Sequence, residues 1–119
     1  MIYVKKTIHK RKNVNPLFHS ILEVIQMYIP KPIDTSDVVL DQELIELREK
    51  IAENIHEVWA RGRMSEGWVY GEFKNPEKKT TPLLVPYDEL PESEKDYDRN
   101  TAFETLKMVI KLGYKIEKI

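Results

Sequence analysis

The sequence contains no cysteine. Disulfides, zinc–thiolate centres and thiol nucleophiles are therefore excluded, and the composition is compatible with a reducing cytoplasm. Long apolar runs are missing as well. Stretches such as Val38-Val39-Leu40 fall far short of the roughly 20 residues that a membrane helix needs. Met1-Ile2-Tyr3-Val4 is apolar but is ended at once by Lys5 and Lys6, so no secretory signal is expected. Neither sign of charge dominates: the net charge is −1, with 33% of residues charged. That balance suits a soluble globular domain and argues against a dedicated nucleic-acid binder. Ser20, Ser36, Ser65 and Ser93 sit in no Gly-x-Ser-x-Gly elbow, and no glycine-rich phosphate loop is present. The expectation is a cytoplasmic, non-enzymatic domain without a cofactor.

At 119 residues, the chain fits one domain and can bury enough apolar surface to fold without staples. Residues 1–15 form a separate compositional zone, the first part of an N-terminal segment that reaches to residue 29. Lys5, Lys6, Lys10, Arg11 and Lys12 make it basic. It reads as a solvated terminal segment with a short strand near Ile2 to Ile8. An arm for an anionic surface would need interleaved aromatics, and only Tyr3 is there. Pro16 then opens a short helix whose apolar positions include Leu17, Ile21, Leu22, Ile25 and Tyr28. Pro30 and Pro32 stop it.

Residues 30–119 carry the stronger patterns. Asp41 is placed to cap a helix over about 41–61. Leu44, Leu47, Ile51, Ile55 and Val58 form its buried stripe, and Gly62 is its expected terminator. Residues 67–87 look extended or irregular, with Gly67-Trp68-Val69-Tyr70-Gly71, an Asn75-Pro76 turn, and a short strand at Leu83-Leu84-Val85. Asp88 to Asp98 is expected to hold a shorter helix or turn, opened by Pro91. Thr101 and Glu104 match a capping box opening a second principal helix over about 100–112. Ala102, Leu106, Val109 and Ile110 face inward there, and Gly113 is a left-handed cap. Tyr114 and Ile116 suit a short terminal strand. The predicted fold is mainly α, with two principal helices, short helices and a few short β-strands.

Several constellations allow two readings. Trp59 and Trp68 flank Arg61 and Arg63. An indole can stack on a flat base and a guanidinium can grip a phosphate with two parallel hydrogen bonds. The same residues also suit two core anchors and two surface charges. Glu53-x-x-His56 has the spacing of a carboxylate-bridged metal helix, but such sites need a second copy and further carboxylates. His56 is better read as a hydrogen-bonded structural histidine beside Trp59. An enzyme using Glu53, His56 and Glu57 as acid–base groups is the most distant reading. Asp98-Arg99 is either a charge pair orienting the last helix or a means of bringing Arg99 into a cleft.

The order of short motifs resembles a known family. Pro32-Ile33-Asp34-Thr35-Ser36 comes first, then Ala52-Glu53-Asn54-Ile55-His56-Glu57-Val58-Trp59-Ala60. Arg61, Arg63 and Gly67-Trp68-Val69-Tyr70-Gly71 follow, then Leu84-Val85-Pro86-Tyr87, Asp98-Arg99-Asn100, Glu104-Thr105-Leu106-Lys107 and Leu112-Gly113-Tyr114. This is similar to the ryanodine-receptor repeat, or RyR domain, over roughly residues 30–117. The resemblance implies a cytosolic accessory module, largely helical, outside any pore. Repeats of this kind pair about a pseudo-two-fold axis, so a lone repeat implies a homodimer. Some are thought to recognise nucleotide-like ligands through aromatic residues. The expected ligand site is Trp59, Arg61, Arg63, Trp68, Tyr87 and Arg99. The alternative is a self-association or protein–protein module with no small-molecule ligand.

Overall fold

A computed structural model describes residues 27–119. The expected basic segment, its strand and most of the helix opened by Pro16 lie outside the described residues. Residues 28–33 run without helix or strand, and Asp34–Ile119 form one compact unit. Three α-helices and a two-strand sheet make up this unit: α1 (Gln42–Glu46), α2 (Arg48–Ser65), β1 (Val69–Tyr70), β2 (Thr80–Thr81) and α3 (Glu92–Lys111), with a 3-10 turn at Tyr87–Glu89. The fold is mainly α, with α2 and α3 as the principal helices.

Asp41 caps α1 as its short carboxylate allows, its Oδ1 accepting from the Leu44 amide at 3.0 Å. The single helix expected over 41–61 is interrupted at Leu47, whose amide bonds back three residues to the Leu44 carbonyl. Gly62 does not end α2, which continues to Ser65 before Gly67 turns left-handed at φ 92°. The inward face is also rotated from the expected stripe. Ala52 and His56 are buried while Leu47 and Val58 are exposed. A small residue is needed there, because Ala52 from α2 joins Tyr87 and Leu90 in the core, with Leu83 and Val85 packed against them.

α3 starts directly after Pro91, where a shorter helix or turn was expected, and runs unbroken through the Thr101–Glu104 capping box to Lys111. Proline at a helix entry sacrifices no hydrogen bond, because the first amides have no partner inside the helix. Thr101 consequently lies in mid-helix and its hydroxyl donates to the Tyr97 carbonyl. Glu104 accepts instead from the buried hydroxyl of Thr35, at 2.8 Å, which ties the lead-in segment to α3. Asp37 and Lys111 form a second tie at 2.7 Å. Gly113 does end the helix left-handed, at φ 98°. The strands expected at 83–85 and at Tyr114–Ile116 are absent.

The two strands pair in parallel, Val69 with Thr80 and Tyr70 with Thr81. Their connection carries no helix. It folds back on itself through paired hydrogen bonds between Asn75 and Thr80, each 3.0 Å. The Asn75 side chain holds the intervening turn by accepting from the amides of Glu77 and Lys78. Lys79 pays the local strain of a positive φ of 53°. Its Nζ donates to the Glu66 carbonyl at 2.7 Å, closing the end of α2.

Arg99 clamps α3 to α2. Its guanidinium donates to both Glu49 oxygens, and to Glu92 and Asp96 at 2.8 Å each. These bonds, Glu49 first, hold the guanidinium protonated well beyond its ordinary range. Conversely, Arg99 keeps the carboxyls of Glu49 and Glu92 below their usual values. A carboxylate held low adds stability above its unfolded pKa, about 4.3, and loses it as pH falls through the lower folded value. Arg99→Gln is expected to lower the melting temperature at neutral pH, less so in high salt. The variant's acid limb should also be flatter than that of wild type. Equal melting curves across pH 3–7 would show that the network contributes nothing.

Candidate functional site

His56 sits at the centre of the site. It lies on the inward face of α2 and is buried. Its Nε2 is 2.7 Å from the Val85 carbonyl oxygen. A carbonyl can only accept, so Nε2 carries the proton and donates. The ring stacks on Trp59, with centroids 5.6 Å apart and planes at 28°. One further turn along the same helix, Arg63 places its guanidinium carbon 5.3 Å from the Trp68 ring centroid. The Trp68 amide donates to the Arg63 carbonyl at 3.0 Å, fixing the path from helix to strand.

His56, Trp59 and Arg63 open on a cleft of about 300 Å³. α2 contributes His56, Trp59 and Arg63, and the folded-back loop contributes Lys74. The first two turns of α3 contribute Glu94, Tyr97 and Asp98, and Leu83 and Leu90 add apolar surface. Positions 94, 97 and 98 share one helical face. The cleft therefore combines aromatic surface with two cations, from α2 and the loop, and two carboxylates, both from α3. Burial pushes the Asp98 carboxyl above its ordinary value. The attraction of nearby His56 partly offsets this, and Glu94 adds to it.

The structure brings Trp59 and Arg63 onto the cleft and puts Trp68 behind Arg63 as a cation–π platform. Arg61 is exposed and does not line it. Tyr87 is buried in the core, and its hydroxyl donates to Glu49 at 3.2 Å. Burial and the Glu49 charge raise the Tyr87 pKa. Arg99 is held by its three carboxylates. Asp98 and Arg99 do not pair with each other. One faces the cleft and the other the α2–α3 clamp. Lys74, Glu94, Tyr97 and Asp98 were missed as site residues. The signal for the last three was their helical spacing, which becomes visible only once α3 begins at Glu92.

A wider hollow of about 890 Å³ lies between the α1–α2 junction and the C-terminal residues Ile116–Lys118. Its charges include Asp41, Glu43, Glu46 and Glu117 against Lys50 and Lys118, and none of its described lining residues is aromatic. Its described residues offer no stacking surface and less chemistry than the smaller cleft. Among the described residues, no group of three His, Asp or Glu side chains is gathered for a metal ion. No described helix is long and apolar enough to cross a membrane.

The fold and cleft define a small, mainly helical module with a mixed aromatic and charged recess. A family model described as the RyR domain matches residues 28–118. The chain belongs to the RyR domain family.

Proposed function

We propose that this RyR domain is a non-enzymatic binding module whose cleft takes a nucleotide-like small anion. The observation supporting this most strongly is that Trp59 and Arg63, one turn apart on α2, open on the same recess as Lys74. A flat ring can lie against the indole while a phosphate meets the two cations. The volume is at the low end for small-molecule sites and suits a mononucleotide better than a dinucleotide. Trp68 holds the Arg63 guanidinium in place through its ring face.

Calorimetry with nucleoside monophosphates and their free nucleosides tests this. Arg63→Ala is expected to weaken the monophosphate by about 1.5–3 kcal/mol, the value of a hydrogen bond to a charged group, and to leave the nucleoside almost unchanged. The fold should persist, because Arg63 loses only a stretched 3.9 Å ion pair with Glu66 and a partly exposed cation–π contact with Trp68, each worth about 1 kcal/mol or less. Absence of any binding at millimolar nucleotide would sink the reading.

A second reading is self-association as a homodimer without a small ligand. Val69, Tyr70 and Phe73 support it, since they lie close in sequence and are exposed by 56%, 58% and 75%. Two-fold pairing is the commonest way to bury such a patch. Light scattering at high concentration should then give a dimer, lost in Phe73→Ser, whatever nucleotide is present. A monomer throughout would rule this out.

A further inference from the structure

The elements that line the cleft differ in charge, and this difference extends the nucleotide reading, on which the inference rests, to a choice of base. The cations Arg63 and Lys74 come from α2 and the loop, and the carboxylates Glu94 and Asp98 come from α3. Among the described residues, Asp98 makes no ion pair or hydrogen bond. His56 is near it, but the Nε2–H of that ring is already donated to Val85. Burial drives the Asp98 carboxyl up, the direction expected when a charge is desolvated without enough donors. Such a group costs stability in the free protein. A ligand that brings donors to it removes that cost.

We propose that Asp98 makes the cleft selective for guanine-type bases, which present two adjacent N–H donors, N1–H and the 2-amino group. A carboxylate has two acceptor oxygens and no donor, so it matches two parallel donors, as it does with an arginine fork. Adenine presents one amino donor beside the N1 lone pair, and that lone pair faces the second carboxylate oxygen repulsively. Hypoxanthine keeps N1–H but lacks the 2-amino group, so it satisfies half of the arrangement. With the base edge at Asp98 and the ring against Trp59, the phosphate is directed to the cations. The mixed charge of the cleft thus matches a ligand with a donor edge at one end and an anion at the other.

The test uses the full 119-residue chain with GMP, IMP and AMP in calorimetry. GMP is expected to bind about tenfold or more tighter than AMP, with IMP between them, the range of a good bidentate base contact. Asp98→Asn should abolish or invert the preference, because an amide offers one donor and one acceptor and so suits adenine's edge. The same variant should melt at a higher temperature than wild type without ligand, since it removes a desolvated charge. A residue that merely supports the fold would shift melting the other way. Equal affinity of wild type for GMP and AMP would overturn the inference while leaving the nucleotide reading intact. Binding of none of the three would remove both. An Asp98→Asn variant that keeps the GMP preference would assign the selectivity elsewhere and overturn the role given to Asp98.

Discussion

Ala102→Asp is expected to destabilise the domain by about 3–5 kcal/mol, the largest single effect at any position considered. Ala102 has no exposed surface, and neither does Ala52 in α2, the helix that α3 packs against. Alanine at such points lets two helices approach closely. An aspartate there would bury a carboxylate with no partner, and unpaired buried charges cost several kcal/mol. Domains of this size are stable by only about 5–15 kcal/mol, so the loss takes a large share of the total. Ala102→Gly provides the comparison. It removes one methyl and lowers helix propensity, which costs about 1 kcal/mol. Urea titration of both variants checks the prediction. An aspartate variant no weaker than the glycine one would place Ala102 at the surface and contradict the packing of α2 on α3.

The same interface shows why the sequence was legible only in part. The existence of both helices could be read from apolar spacing and caps, and Asp41 and Gly113 act as their chemistry suggests. The orientation of α2 could not. Its inward face is built on Ala52 and His56, a small residue and a polar one, which a count of large apolar side chains passes over. His56 is tolerated there because the Val85 carbonyl satisfies it, a partner 29 residues away that no local pattern reveals. The opening at Pro91 could be read, but not that the helix it starts runs on without a break into the last one. Residues 92–98 are almost all polar and so gave no periodic signal, yet their helical spacing sets Glu94, Tyr97 and Asp98 along the cleft. In the candidate site, Trp59 and Arg63 were recognisable as residue types suited to a base and a phosphate. Arg99 was recognisable as a charge but not by its destination, because Glu49 lies 50 residues away in sequence. The resemblance to the RyR domain depended on many short motifs in order, and that kind of signal survives errors in individual helix boundaries.

Gly71→Ala is expected to cost about 1–3 kcal/mol, the usual penalty of forcing extra volume into a close-packed contact. The cause is proximity rather than backbone conformation. A Cβ at Gly71 would lie 2.6 Å from the Thr80 Cβ and 3.1 Å from its Cγ2. Thr80 cannot retreat, since its amide and carbonyl bond Asn75 and its hydroxyl donates to the Phe73 carbonyl. Gly71 itself donates to the Thr81 carbonyl at 3.2 Å, so moving it would strain the parallel pair. Gly62→Ala is the control, because nothing lies within 4 Å of its added Cβ and the residue is inside α2. That change should stabilise by up to about 1 kcal/mol through helix propensity. A double-mutant cycle with Thr80→Gly isolates the contact. Thr80→Gly alone weakens the strand and loses the bond to Phe73. With Thr80 reduced to glycine, however, alanine at position 71 should cost much less than in wild type. The coupling should be favourable and above the roughly 0.5 kcal/mol expected of independent sites. Strictly additive costs would show that the Gly71–Thr80 approach does not set the penalty. Because the loop that this pair anchors carries Lys74 to the rim of the cleft, Gly71→Ala should also weaken nucleotide binding in protein that remains folded. Gly62→Ala should leave that binding unchanged.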